Sequence, residues 1–317
     1  MARKINRRKF IADTGKFGAA ALAGSLTLPG QSFGSLFSSP DIVVVNGVNY
    51  FQNTIRAIEA LGGMGKFVPK GSKVGLLINS DFEDPGTYVN PDISIASVKM
   101  IIEAGASEII KLQVVKPEYW QRSSHFEEHK DLLASLKEVS SNTFPAEYND
   151  ADFVKISPVE GGKSLKETEV VKAWLDCDVF VNIAIGKHHG STFITGALKN
   201  IMGVSTRKAN VSFHLGSGKK NDPDYLAQCI VDQNLLRKTD LCIADCTKFI
   251  INNGPSGPGD IRTENKIIVG NDIVAIDALC TRLVGYEPDE ILTNIKGFEA
   301  GLGQLDYSKL NVLEITA

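Results

Sequence analysis

A mostly parallel β-sheet flanked by helices is the fold class this sequence predicts, and three observations predict it. β-branched apolar runs alternate with segments of helical spacing along most of the chain. The connections between successive runs are roughly ten residues or longer, which suits crossovers between parallel strands. One run, residues 178–185 (Asp-Val-Phe-Val-Asn-Ile-Ala-Ile), is apolar enough to be buried on both faces, as an interior parallel strand is. The rhythm repeats in the second half. It leaves open one α/β domain over residues 41–317 or two α/β lobes within it.

The elements follow in order. Residues 41–45 (Asp-Ile-Val-Val-Val) read as the first strand. Residues 53–61 have helical spacing and stop at Gly62-Gly63. Residues 73–79 form the second strand. Asp92 is the expected N-cap of a helix through Ile93, Val98, Ile101 and Ile102 that closes at Gly105. Residues 108–115 read as strand again. His125 and His129 stand at i, i+4 in a charge-rich stretch, with no third ligand nearby, and read as a solvated helix face. A helix is expected over 192–202, capped by Ser191 or Thr192. Another begins at Asp222-Pro223-Asp224. Residues 241–246 and 266–270 are strands, and Asp272 caps a last helix that ends at Gly285.

The N-terminus carries a separate signal. Arg7-Arg8-Lys9-Phe10-Ile11 precedes a mildly apolar stretch from Phe17 to Leu28, the layout of a twin-arginine export signal. Residues 1–40 are therefore read as signal and linker, the twin-arginine machinery as a partner, and the periplasm or exterior as the destination. The competing reading is a solvated basic tail. The apolar stretch contains Gly18, Gly24, Ser25 and Thr27 and falls short of the ~20 apolar residues of a spanning helix. No clear cleavage site follows it, so an uncleaved anchor stays open.

The chain has 317 residues, 43% of them hydrophobic, and a net charge of −3. No global positive field draws it to nucleic acid. Its five cysteines (177, 229, 242, 246 and 280) are scattered and odd in number, which is not a disulfide framework. Cys242 and Cys246 share a strand face but stand ~13 Å apart along it, too far for a disulfide, so they read as buried structural thiols. No ferredoxin-type cysteine run is present, which argues against a self-contained iron–sulfur cluster.

Chemistry concentrates after the strand that ends at Ile185. Lys187, His188 and His189 sit at a strand end, where open α/β sheets bind ligands. Lys199, Asn200, Arg207 and His214 follow within a short span, and the chain holds only five histidines. Three chemistries fit. His188, His189 and His214 with Asp245 or Asp277 are a donor set for a divalent metal such as zinc or nickel, with His189, His214 and Asp245 as the favoured three. The histidines are equally an acid–base pair near neutral pH. Or the cluster holds a carboxylate or phosphate, with Lys187, Lys199 and Arg207 as its cations and a helix N-terminus behind it. Asn253 and Gly254, in a turn-rich loop after a strand, are candidates for lining the pocket. Gly216-Ser217-Gly218-Lys219-Lys220 is not a phosphate loop, because Asn221 stands where Ser or Thr is needed.

Lys187-x-His189, the block Thr195-Gly196-Ala197-Leu198-Lys199-Asn200-Ile201-Met202-Gly203, Arg207 and His214 resemble core motifs of a bacterial and archaeal family called domain of unknown function 362. Asp245, Asn253-Gly254-Pro255 with Gly257, Asp272-x-x-Ala275-x-Asp277-Ala278 and Gly301-Leu302-Gly303 resemble its later motifs. The resemblance runs from about Val43 to the C-terminus. It implies an α/β fold with its site at Lys187, His189, Lys199 and Asn200, and no settled activity. Some members are fused to iron–sulfur ferredoxin modules, which implies redox or anaerobic metabolism and a redox partner. Many members carry Lys-Pro-Asn where this chain reads Leu77-Ile78-Asn79-Ser80. The lysine is replaced here, and Asn79 stands in place of the family asparagine.

The expectation is an exported α/β enzyme acting on a small carboxylate-bearing anion. Lys187, Lys199 and Arg207 hold the anion, His189 with His188 or His214 transfers protons or binds metal, and Asp245 and Asp277 complete the site. The alternative is a non-catalytic periplasmic binding or cofactor-handling protein.

Overall fold

The computed structural model describes residues 39–139 and 150–317, so the twin-arginine motif lies outside the described residues. The chain runs through β1 (Ile42–Asn46), α1 (Tyr50–Ala60), β2 (Lys73–Ile78), α2 (Pro91–Glu103) and β3 (Glu108–Lys111). Two short helices, α3 (Pro117–Gln121) and α4 (Phe126–Ala134), lead to β4 (Lys137–Glu138). A hairpin of β5 (Phe153–Ile156) and β6 (Thr168–Val171) precedes α5 (Lys172–Asp176) and β7 (Val179–Ile185). A second hairpin, β8 (Lys187–His189) and β9 (Phe193–Thr195), leads into α6 (Ala197–Asn200), α7 (Arg207–Leu215) and α8 (Pro223–Asn234). Strands β10 (Leu241–Ile250) and β11 (Ile261–Gly270), helices α9 (Ile273–Val284) and α10 (Leu292–Glu299), and β12 (Val312–Thr316) complete the fold.

Eight strands form one sheet in the order β12-β1-β11-β10-β7-β2-β3-β4. Only β11 runs antiparallel to its neighbours; every other pairing in this sheet is parallel. The sheet and its helices form a single compact unit, Ser39–Ala317, rather than two lobes. All seven residues of β7 are buried, as an interior parallel strand requires. Alternation in β2 feeds two cores. Leu76 and Ile78 join the larger one, while Leu77 packs with Phe180, Leu112 and Trp174 on the opposite face. Among the described residues, no helix is long and apolar enough to cross a membrane.

Local chemistry moves several expected boundaries. α2 is capped by Asn90, whose Oδ1 accepts the Asp92 N–H at 3.0 Å, because Pro91 fits the first helical position and displaces the cap by two residues. β3 stops at Lys111 instead of reaching Val115. Asp272 does cap α9, accepting the Ala275 N–H at 2.9 Å, and Gly285 ends that helix at φ +118°. His129 is not on a solvated face: it is buried, its Nδ1 lies 3.0 Å from the His125 carbonyl, and the His125 ring stacks on Phe51 at 4.1 Å. The apolar body of imidazole fills the seam between α4 and α1.

The topology singles out one edge of the sheet. From β2 the chain moves outward to β3 and β4. It then returns to place β7 on the other side of β2, with β10 beyond. The direction of winding thus reverses between β2 and β7. In open parallel sheets, the crevice at such a reversal, beyond the carboxyl ends of the strands, is where ligands sit. Asn79 to Phe82 follow β2, and Gly186 to His189 follow β7, so both segments emerge at that crevice.

Candidate functional site at the switch point of the sheet

Lys187 leaves the end of β7 and is fully buried. Its Nζ donates to the Thr87 carbonyl and to the Pro255 carbonyl at 2.9 Å, and it sits 4.4 Å from the centre of the Phe82 ring. Two carbonyls and a ring face match the three N–H groups of an ammonium. Lys187 therefore ties the loop after β2 to the loop after β10. Burial, reinforced by the charge of Lys199, pulls it down to about 7, and Asp81 opposes the shift.

The hairpin that follows is built around His189. Its Nδ1 accepts the N–H groups of Ser191 at 3.0 Å and Thr192 at 3.4 Å, so the ring closes the turn. That is why the expected helix over 192–202 begins late. Residues 193–195 pair with β8, and Thr192 Oγ1 donates to the Ile194 carbonyl instead of capping a helix. With Nδ1 accepting, the neutral ring carries its proton on Nε2. Burial comes first in holding the His189 pKa far below the imidazole range, followed by the charges of Lys199, Lys187, His214 and His188. The neighbouring His188 accepts the Gly254 N–H at 3.0 Å, and burial lowers its pKa as well. A Cβ on Gly254 would collide with the His188 carbonyl, so only glycine lets this loop seat. Asn253 holds its own loop, donating to the Pro258 carbonyl at 3.1 Å.

The block Thr195 to Gly203 folds as β9, the single turn α6 and a 3-10 turn, Ile201–Val204. Its N-terminus does not wait for an external anion. The Asp277 carboxylate, from α9, accepts the N–H of Ala197 at 2.6 Å and of Leu198 at 3.0 Å. It packs so closely that any Cβ at Gly196 would overlap it. Burial pushes Asp277 up to about 7 against these two N–H groups. Asn200 is equally committed. Its Oδ1 accepts from Asn79 Nδ2 at 3.0 Å, and its Nδ2 donates to Asn182 Oδ1 at 2.7 Å. Asn182 in turn donates to the Ala197 carbonyl at 3.0 Å. These amides rivet α6 to β2 and β7. Asp277 and Asn200 thus place the turn that carries Lys199, rather than facing a ligand themselves.

Lys199 is the electrostatic hub. Its charge depresses Lys187, His189 and His214 alike. Its own Nζ meets the thioether of Met202 at 3.4 Å, and enclosure by protein brings it down to about 8. His214, half-buried on α7, has Nδ1 2.9 Å from Asn221 Oδ1. Against an oxygen acceptor, Nδ1 bears the proton and Nε2 keeps a lone pair. Burial and Lys199 lower the His214 pKa, with Asn221 opposing. His189 and His214 are therefore complementary tautomers, one offering N–H and the other a lone pair.

The metal set His189, His214 and Asp245 is not assembled. Asp245 is buried, and both its oxygens accept: Oδ2 from the Asn90 N–H at 2.6 Å, Oδ1 from Thr247 N–H at 2.7 Å and hydroxyl at 2.6 Å. Burial raises its pKa against these bonds. Among the described residues, no three His, Cys, Asp or Glu side chains are placed to share an ion. The cysteines are all free thiols inside the core; Cys246 and Cys280 bring their sulfurs to 3.3 Å beneath Gly186. Arg207 opens α7 at an exposed position, and none of the charges that shift Lys187, His189 or His214 is its own.

The family described as Domain of unknown function (DUF362) matches residues 73–282. The chain belongs to it. The match covers both sides of the switch point and stops within α9, past Asp277. A curated relative, the Thylakoid-associated protein sll1697 of Synechocystis sp., is 25% identical over 245 residues, which are 74% of this chain and 70% of that protein. Two solved structures are similar only distantly. A crystal structure of a Thermotoga maritima protein aligns at TM-score 0.39 and 12% identity, covering 78% of this chain and 59% of that one. The lactate racemase apoprotein from Thermoanaerobacterium thermosaccharolyticum aligns at 0.40 and 14%, covering 64% and 50%.

In this DUF362 chain, a cleft of about 510 Å³ lies beside the cluster, lined by Phe82, Tyr119 and the charged side chains of Glu83, Lys116, Glu118 and Arg122, and Lys199, His189 and His214 are not part of its lining. Phe82 is common to both, with Lys187 behind its ring. Several residues that shape the site escaped sequence reasoning. Phe82 and Thr87 carry no motif. Gln113, which donates to the Ile78 carbonyl at 2.9 Å and to Asp81 at 3.1 Å, reads as ordinary strand continuation. Asn182 did leave a signal: it is the one polar residue in an otherwise apolar, wholly buried strand.

Proposed function

We propose that this chain is an enzyme that binds a small carboxylate-bearing anion beside Lys199 and moves protons through His189 and His214. The observation that carries the reading is a charge imbalance. Every charge that His189 feels is positive, and no carboxylate acts on Lys199 or His214. An anion arriving 4 Å from the Lys199 ammonium gains ~4 kcal/mol at an effective dielectric of ~20, before its desolvation is counted. At neutral pH Lys199 is still mostly protonated, while both imidazoles are neutral in complementary tautomers. Lys199 then attracts the ligand and the histidines give and take its proton. Asp277, Asn200 and Lys187 hold the platform.

The test is thermal unfolding with a panel of small carboxylates at pH 6.5 and pH 9.5, for the natural protein and Lys199→Met. Saturable stabilisation at pH 6.5 that is lost at pH 9.5 and in the variant supports the reading. His189→Ala should still be stabilised, yet lose exchange of the ligand's α-hydrogen with deuterated solvent. No stabilisation by any carboxylate, or stabilisation equal at both pH values, refutes it.

We also propose, from Arg7-Arg8 and the apolar stretch after them, export in folded form by the twin-arginine route. Replacing both arginines by lysine should trap the protein in the cytoplasm. Export at the natural level would refute this.

A further inference from the structure

We propose that the cleft beyond the carboxyl ends of β2 and β3 is a second ligand site, built for an aromatic carboxylate. It stands apart from the Lys199 reading, since none of Lys199, His189 and His214 lines it. Its place is the first argument. The loop after β2 forms one wall and the segment around α3 forms the other. These segments follow adjacent parallel strands at the switch point, where open α/β sheets hold their ligands. The volume of about 510 Å³ falls within the roughly 300–1,000 Å³ of small-molecule pockets.

The walls select a ring. Tyr119 is buried and its hydroxyl is spent on Ser94 Oγ at 2.7 Å, so it gives the cleft carbon and no free polar group. Phe82 is half-buried, with Lys187 Nζ 4.4 Å from its ring centre. Lys187 is sealed and does not line the cleft, so its ammonium takes the inner face of that ring. A ring that already carries a cation on one face is a poor partner for a second cation on the other, and a better one for an electron-rich ring.

Arg122 selects the acid. The cleft is lined by two cations and two carboxylates, but they are unevenly matched. Lys116 Nζ pairs with Glu83 at 2.8 Å, and Asp81 and Glu118 also act on it. Arg122 pairs with no carboxylate among the described residues. Its guanidinium lies over the Tyr88 ring, 4.3 Å from the centre, and is the weakest of the influences on Glu83. A stacked guanidinium keeps its N–H edge free, and that edge takes a carboxylate through two bonds. At the floor, Ser80 is only 4% exposed and its Oγ stands 3.5 Å from the Ile78 carbonyl. That carbonyl already accepts Gln113 Nε2 at 2.9 Å, so the Ser80 hydroxyl is weakly held and free to turn to a ligand. An aromatic carboxylate uses both features, its ring against Phe82 and its acid on Arg122.

The test is NMR titration, because the chain has two tryptophans. Trp120 packs edge-on against Tyr119 at 5.0 Å, while Trp174 lies in the core on the opposite face of the sheet. The two indole N–H signals are followed in ¹⁵N-labelled protein, assigned with Trp174→Phe, as benzoate, acetate or benzyl alcohol is added. The inference expects benzoate to shift the Trp120 signal saturably and leave Trp174 in place. Acetate lacks the ring and benzyl alcohol lacks the acid, so each should need at least tenfold more to act. Arg122→Gln, at an exposed position, should weaken benzoate at least tenfold and bring it level with benzyl alcohol. The three-probe comparison on the natural protein gives its answer even if the variant folds poorly. No saturable shift of Trp120, or acetate or benzyl alcohol acting at the concentration of benzoate, overturns the proposal. A benzoate shift that survives Arg122→Gln but is lost in Lys199→Met puts the ligand at the Lys199 cluster, which overturns this site and supports the earlier reading.

Discussion

Asp277 offers the sharpest quantitative prediction, because two strong effects oppose each other there. Its carboxylate accepts two backbone N–H groups at the start of α6, which favours the charged form. It is also fully buried, which favours the neutral form, and burial wins, raising it from 3.8 to about 7. The perturbation is Asp277→Asn, which has the same shape and does not titrate. Between pH 3.8 and 7 the unfolded chain has released this proton while the folded protein keeps it. A group raised in this way stabilises the fold at low pH and loses that contribution as pH rises through 7. Each pH step is worth at most ~1.4 kcal/mol. The advantage of the natural protein over Asp277→Asn should therefore shrink by about 3 kcal/mol from pH 5 to pH 8 and be flat beyond. The assay is urea unfolding of both proteins at pH 5, 6, 7 and 8. An advantage that stays constant, or grows with pH, would show that the two N–H groups outweigh burial and would refute the reasoning.

Three further outcomes follow from the same contacts. Lys187→Met removes a lysine lowered to about 7, so the stability of the natural protein relative to the variant should rise between pH 7 and pH 9 by about 2–3 kcal/mol in urea unfolding; a difference independent of pH contradicts it. Asn182→Leu takes the Asn182 acceptor from Asn200 Nδ2, which keeps only the longer bond to the Ile183 carbonyl at 3.3 Å, and removes a donor from the Ala197 carbonyl, two buried losses at about 1–3 kcal/mol each, and should lower unfolding free energy by about 2–4 kcal/mol; a loss below about 1 kcal/mol sinks the riveting role of the amides. Gly254→Ala cannot seat its loop against His188, so hydrogen exchange at Gly190, whose N–H bonds the Gly254 carbonyl at 3.1 Å, should accelerate while the β2 and β7 amides stay protected; unchanged exchange at Gly190 argues against that docking.

The sheet was legible because its strands announce themselves. Val43 to Val45, Val74 to Ile78 and Val179 to Ile185 are apolar runs separated by helical stretches, and burial on two faces leaves no other use for them. The ends of elements were less legible where a side chain from far away sets them. Nothing near Gly196 shows that its helix is capped from residue 277, so Asp277 and the anion-binding helix start were both misplaced by sequence reasoning. His189 looked like a loop ligand, but its Nδ1 closes a turn and moves the helix start by several residues. Asp245 was drawn into the metal set by its residue type, while its partners, the Asn90 and Thr247 N–H groups, lie on another loop and one ladder step away. Lys187, His189, Lys199 and His214 stood out in the sequence by their density along the chain. Their separate roles were not legible, since the roles depend on which acceptor each nitrogen meets.

The central claim is that Lys199 is an unusually acidic lysine, lowered by burial with no carboxylate offsetting the shift. Its titration tests this most directly, followed by NMR of the ζ-nitrogen in protein labelled with ¹⁵N-lysine, assigned by comparison with Lys199→Arg. The account predicts a midpoint near 8 in the free protein, moving upward when a small carboxylate binds, because the anion stabilises the ammonium. A midpoint at the ordinary 10.5, unmoved by any carboxylate, would contradict it.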